Sequence, residues 1–284
     1  MTQDTSQGER LRFSPVTKDL FRELHRWRRS LLGVAGVFVL FSSVLLGSTD
    51  EDFRILRTRH PLLLESAYLG ECGSTSMFWG VEFEEDSGEF PTTKFPLHMY
   101  WVVHPRVGIG GAAELVIFNQ NQQTSSGLTN SAFTLFYQFN QPSESRPVFT
   151  FRQDILAPTG GFSTGKWNAT FSLLMTWPRG NWLFHVNGAY TAGGHDDRPI
   201  LVSEVDRARI LGGVHYSPVG RRYAFLISFS GAEPIRPKPF EPSVELGFRY
   251  RLGEKWVANL GVGRSLIDRA APDYLIRVTV QHGF

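Results

Sequence analysis

Along the stretch DYLIRVTVQHGF, residues 273–284, apolar and polar positions alternate with a period of two. Tyr274, Ile276, Val278, Val280 and Phe284 fall on one face of an extended strand. Leu275, Arg277, Thr279, Gln281 and Gly283 fall on the other. The pattern recurs upstream. In SVELGFRYR, Val244, Leu246, Phe248 and Tyr250 alternate with Glu245, Gly247, Arg249 and Arg251. In NWLFHVNGAY, Trp182, Phe184, Val186 and Tyr190 alternate with His185, Asn187 and Ala189. In WNATFSLLMTW, Trp167, Ala169, Phe171, Leu173, Met175 and Trp177 oppose Asn168, Thr170, Ser172 and Thr176. From Ser76 onward no helical period competes, and the alternation predicts about twelve strands. They cover Ser76–Glu84, Phe95–His104, Val107–Phe118, Ser131–Phe139, Val148–Leu156, Trp167–Trp177, Asn181–Tyr190, Arg207–Tyr216, Tyr223–Ser230, Ser243–Arg251, Trp256–Arg264 and Asp273–Phe284.

Strands of this length suit a tilted crossing of bilayer hydrocarbon, and aromatics at both ends of the apolar face suit two interfacial girdles. A soluble sandwich would bury the same face, so the alternation alone leaves two architectures. The connections separate them. Short linkers such as PR, PRG, SPVGRR and LGEK alternate in phase with longer ones such as NQNQQTSSGLTN, APTGGFSTGK and TAGGHDDRPILVSEVD. Short periplasmic turns on one rim and long external loops on the other give that alternation, and closure removes every unpaired backbone edge. The expected fold is all-β, an antiparallel transmembrane β-barrel.

Composition agrees. Charged residues make up only 20% and aromatics 13%, while a mean hydropathy of −0.16 is too polar for a helical membrane bundle. One long apolar run, residues 31–48, follows Arg26, Arg28 and Arg29. Residues 1–48 therefore read as a long basic leader and signal peptide, with a retained anchor as the alternative. Residues 49–75 read as a periplasmic segment and 76–284 as the barrel. A net charge of +2 without a basic stripe predicts no nucleic-acid partner. The lone Cys72 excludes an intrachain disulfide and a Cys-rich metal site, so neither metal nor cofactor is expected. The expected partners are outer-membrane lipid, the barrel-assembly machinery and an unidentified small solute, for a monomeric barrel.

Candidate chemistry is sparse. Gly160–Lys166 fits the spacing of a phosphate-binding loop, but Trp167 stands where Ser or Thr would bind metal and a strand follows instead of a helix. The reading is a flexible loop. His215 and Ser217 share a strand face, as a nucleophile and base could, but their spacing along a strand is a long reach for a hydrogen bond. His195, Asp196 and Asp197 after Gly193-Gly194 offer too few carboxylates for a calcium site. The most informative set is the charge on the polar face: Glu82, Glu84, Glu114, Arg152, Asp154, Arg209, Glu245, Arg249, Arg251 and Arg277. A basic residue facing mid-bilayer costs about 2–4 kcal/mol, so these residues line the lumen. There they either tune selectivity or pair across the interior. Acids concentrate on the early strands and arginines on the late ones, which predicts an acidic and a basic wall, with Arg277 placed to pair with Glu82 or Glu84.

A terminal Phe after alternating apolar positions resembles the C-terminal signature of bacterial outer-membrane proteins, which implies that Phe284 is an assembly signal. The run RQDILAPTGGFSTGKWNATFSLLMTWPRGNWLFHVNGAYT resembles the centre of the outer-membrane transporter family named for the MetA pathway of phenol degradation. Pro158-Thr159-Gly160, Gly165 and Asn187-Gly188-Ala189-Tyr190 occupy the matching places, and Pro272-Asp273 opens the last strand as in that family. The resemblance spans roughly residues 75–284. It implies a location in the bacterial outer membrane and a transporter or channel for a small aromatic or hydrophobic solute. Two alternatives stand beside it: an outer-membrane lipid-modifying enzyme and a soluble exported β-sandwich binding module.

Overall fold

The computed structural model describes residues 64–85, 91–120, 123–194, 206–234, 240–267 and 274–284. The apolar run and leader at 1–48, and the candidate calcium residues His195, Asp196 and Asp197, lie outside the described residues. The strands are β1 (Thr75–Glu85), β2 (Thr92–His104), β3 (Val107–Gln120), β4 (Gln123–Leu128), β5 (Ser131–Gln138), β6 (Val148–Ala157), β7 (Asn168–Arg179), β8 (Trp182–Ala192), β9 (Asp206–Tyr216), β10 (Tyr223–Pro234), β11 (Glu241–Arg251), β12 (Trp256–Ser265) and β13 (Tyr274–Gly283).

Each strand pairs antiparallel with its neighbours, and β1 pairs with β13, so the sheet closes. Both β4 and β5 pair with β3, at Leu115–Gln120 and Val107–Ala112 respectively. They form one stave interrupted at Thr129-Asn130, and the wall is a closed twelve-stave barrel. Closure satisfies every ladder group inside the sheet, the condition hydrocarbon imposes on a spanning chain.

The period-two pattern sorts side chains as expected. Leu97, Met99, Trp101, Phe133, Leu135, Leu173, Phe184, Phe225, Phe229 and Leu246 stand exposed on the outer face. Their sequence neighbours His98, Thr134, Ser172, His185, Ser228 and Glu245 are buried on the inner one. A soluble β-sandwich would put the aromatic face inside. Here that face is outside, and the soluble-module alternative falls.

Three expectations change. The segment 119–130, expected as a loop, contains β4, because its Gln and Ser side chains leave no apolar alternation to read while its backbone continues the β3 ladder. Strand β2 begins at Thr92 rather than Phe95, which brings Lys94 onto the inner face opposite Glu82 and Val116. The described part of the expected periplasmic segment, residues 64–74, lies inside the barrel and not beside it, as its lumen contacts below show.

The short connections 105–106, 139–147, 180–181, 217–222 and 252–255 share one rim with the start of β1. At the β1–β13 seam the Phe284 backbone N–H donates to the Thr75 carbonyl (2.8 Å). The Phe284 ring packs edge-on against His282 (4.3 Å), which contacts Trp256. Deleting Phe284 removes the terminal bond and this ring contact from the seam. The folded, heat-modifiable fraction recovered from outer membranes should fall, and an unchanged fraction would show that the seam closes without it.

Candidate functional site: the lumen

All ten charged residues singled out from the sequence sit on the inner face, and the acids of β1 are paired locally. Arg277 on β13 stands directly opposite Glu82 on β1 and grips it with two nitrogens, Nε to Oε1 at 2.7 Å and Nη2 to Oε2 at 3.1 Å. The pair clamps the seam. Lys94 on β2 meets Glu84 at 2.5 Å. Both early acids are thus neutralised locally, the second by a residue the sequence reading placed outside a strand. Glu114 on β3 accepts a long contact from Thr129 Oγ1 (3.5 Å).

On β6, Arg152 bridges Asp154 (2.8 Å) and also pairs with Glu65, while Thr134 Oγ1 donates to Asp154 at 2.5 Å. On β11, fully buried Arg249 donates through Nε to Asn259 (3.1 Å), whose amide donates to Thr279 (3.2 Å). Arg251 and Glu245 are buried on the same face of β11, and Arg209 is half-buried on β9. A buried ion pair is a weak source of stability but strongly destabilising when halved. These pairs are therefore a wall whose charges must stay matched.

Glu65 belongs to a feature that strand patterning could not reveal. Residues 64–74 run from the short-turn rim into the lumen. Gly73 N–H donates to the Val102 carbonyl at the rim (2.7 Å). Deeper, Leu69 N–H donates to Gln138 Oε1 (3.1 Å) and Ala67 N–H to Thr176 Oγ1 (2.8 Å), while Thr150 Oγ1 donates to the Ala67 carbonyl. Asn187 Nδ2 donates to the Glu65 carbonyl (3.0 Å). Leu64 is fully buried against Leu211 and Leu226, and Ala67 packs with Val148, Leu174 and Tyr68. The segment is thus held by side chains of β5, β6, β7 and β8 and by apolar contacts with β9 and β10. A signal was present in the inner-face Leu174, Leu211 and Leu226, which interrupt a polar face and ask for an apolar partner.

Between this segment and β1, β2, β3 and β5 lies a small half-open chamber. Tyr68, Leu69, Tyr100 and Phe136 line it, with the hydroxyls of Ser66, Ser74 and Ser76. The Tyr100 and Phe136 rings meet edge-on at 5.4 Å, and Tyr100 stacks on His98, which meets Phe78 edge-on. Gly110 makes this possible: a Cβ there would approach the Tyr100 ring to 2.5 Å.

The opposite half of the lumen is narrowed by the connection 158–167. Its Phe162 ring packs edge-on against inner-face Phe118 (5.1 Å) and lies where a Cβ on Gly127 would reach it at 2.9 Å. Phe162 N–H donates to the Leu128 carbonyl, Thr164 Oγ1 to Asn130, and Asn168 Nδ2 to Thr164 Oγ1. This is the stretch read from sequence as a flexible loop. It is a folded inward turn, because its hydroxyls and amides find partners that a glycine-rich string does not announce.

His215 is buried on the inner face, stacked near His185 (6.3 Å), and the Ser217 side chain is buried at the turn rim. Neither reaches the lipid-facing surface where an ester substrate would lie. His185 Nδ1 instead shares a hydrogen bond with Thr176 (2.9 Å), the residue that holds Ala67.

The chain matches no protein-family model and no curated protein. Its structure is similar to a COG4313 outer membrane channel from Pseudomonas putida F1, with a TM-score of 0.57 at 12% identity, covering 75% of this chain and 96% of that one. It is also similar to the KdgM porin in complex with disordered oligogalacturonate, with a TM-score of 0.51 at 13% identity, covering 74% and 99%. The fold is that of an outer-membrane β-barrel. Within such a barrel the apolar outer belt faces lipid and the paired charges face the lumen.

The Glu82–Arg277 clamp gives a sharp test. Glu82→Gln leaves Arg277 without its carboxylate and should cost about 3–5 kcal/mol. The double variant Glu82→Gln with Arg277→Met should recover most of that loss. The heat-modifiability midpoint of the folded barrel measures both, and equal midpoints for single and double variants would mean the pair does not act as a unit.

Proposed function

We propose that this protein is an outer-membrane channel for a small solute with an aromatic or hydrophobic body, and that residues 64–74 regulate its inner mouth. The observation that carries the reading is the aromatic-lined chamber formed jointly by the barrel wall and that segment. Rings offer area to a planar or apolar solute, and the serine hydroxyls can orient one polar substituent. The resemblance of the 152–191 region to the MetA-pathway transporter family points the same way, and we propose membership of that family on those residues. Periplasmic placement of the short-turn rim follows the usual arrangement of short turns and long loops.

The segment is held by hydrogen bonds, by the pairing of Glu65 with Arg152 and by apolar contacts through Leu64 and Ala67. None of these contacts is covalent, which suits a constriction that yields. In a Cys72→Ser background, Ala67→Cys with Thr176→Cys should lock the segment when oxidised. Single-channel conductance in planar bilayers should then be low under oxidant and rise on adding reductant. Conductance that ignores the redox state of a demonstrated cross-link would remove the segment from the permeation path.

The buried arginines of β11 supply a second readout. Replacing Arg249 and Arg251 together with Gln should shift the reversal potential toward cation selectivity. If the potential of a folded, conducting variant does not move, these residues are scaffold.

A further inference from the structure

The short-turn rim carries a feature that the channel reading does not use. Each of its five connections presents an exposed cation: Arg106 on 105–106, Arg146 on 139–147, Arg179 at 180–181, Arg221 on 217–222 and Lys255 on 252–255. Among the described residues none of these five side chains has a carboxylate partner. The exposed acids of the same rim are Glu71, Glu144 and Glu254 among the described residues, so the rim keeps a positive excess.

Just inside this collar, toward mid-barrel, runs a belt of interfacial rings. Trp101, Tyr137, Trp177, Trp182 and Tyr250 are exposed on the outer face, each within a few residues of a turn. Trp79 and Trp256 meet edge-on at 5.6 Å in the same belt. Trp and Tyr rings seat at the headgroup boundary. A residue a few positions beyond them along a strand lies roughly 3–10 Å further out, at the depth of lipid phosphates. Arg179 shows the geometry directly, with its guanidinium 4.3 Å from the Trp177 ring centre.

We propose that this collar is a binding surface for anionic glycerophospholipid headgroups of the leaflet that faces the short turns. The exposed cations are spread one per turn around the circumference, with only the half-buried Arg222 beside Arg221 in addition, and are not gathered into a patch that would suit a compact protein or a polyanion. Their spacing matches a ring of separate headgroups. Arginine supplies four of the five, and its planar fork can accept a phosphodiester through two hydrogen bonds. The collar would orient the barrel about the membrane normal and hold its short-turn rim at a fixed depth.

The test uses the folded full-length protein in bilayers of matched acyl chains. Brominated phosphatidylglycerol and brominated phosphatidylcholine are compared as quenchers of the rim tryptophans. At low salt the wild type should prefer phosphatidylglycerol by about fivefold, the effect of roughly one basic residue near an anionic surface. The preference should collapse at high salt as the Debye length shortens. The variant Arg106→Gln, Arg146→Gln, Arg179→Gln, Arg221→Gln, Lys255→Gln should show none at any salt. Equal quenching by the two lipids in the wild type, or a preference that survives high salt, overturns the proposal whether or not the variant folds. A preference retained in the folded variant overturns it too.

Discussion

Everything in this structure depends on the meeting of β1 and β13. A sheet inside hydrocarbon has no water to satisfy an open edge, so one unpaired strand would leave a row of stranded N–H and C=O groups. The ten-residue register from Ser76↔Gly283 to Glu85↔Tyr274 removes that edge. Backbone pairing alone is tolerant of a slip by two residues, because the faces would be preserved. Glu82 opposite Arg277 is not tolerant: a slipped seam leaves two buried charges apart. The same two strands also need Gly80, where a Cβ would lie 2.3 Å from the Val278 carbonyl. One ion pair and one glycine therefore specify where the ring closes.

Closure creates the problem that the lumen solves. With apolar side chains committed to lipid, every charge must turn inward, into a space too narrow to hydrate them all. The wall answers with matched pairs, Glu82 with Arg277, Glu84 with Lys94 and Arg152 with Asp154. The remaining polar groups are chained, as in Arg249–Asn259–Thr279. Residues 64–69 join this scheme as another partner, contributing Glu65 to Arg152 and backbone groups to Thr150, Thr176 and Asn187. The wall and the segment are thus one electrostatic unit.

How much of this the sequence disclosed follows from which physics was local. The outward and inward faces are set by a period of two, so they were legible strand by strand from Ser76 onward. Lys94 was missed because Pro96 and the flanking threonines blur the start of β2. β4 was missed because QTSSGL pairs through its backbone and has no apolar face of its own. The insertion of residues 64–74 was illegible because its partners, Gln138, Thr150, Arg152, Thr176, Asn187 and Leu211, are drawn from five strands far apart in the chain. Only the three inner-face leucines hinted that something apolar would come to meet them. The inward turn at 158–167 was hidden for a similar reason, since its seat, Phe118 on β3, Gly127 on β4 and Asn130 just after it, lies more than thirty residues before the groups it holds.

The inserted segment is covalently continuous with β1 through the few residues between Leu69 and Thr75. It is therefore a ligand that can never diffuse away. A tether so short presents its occupant to the lumen at an effective concentration on the order of millimolar or above. Its groups therefore meet their partners on the wall at constant strength, whatever the abundance of the protein. The strength of that occupancy is thereby written into the length and bonding of eleven residues, 64–74.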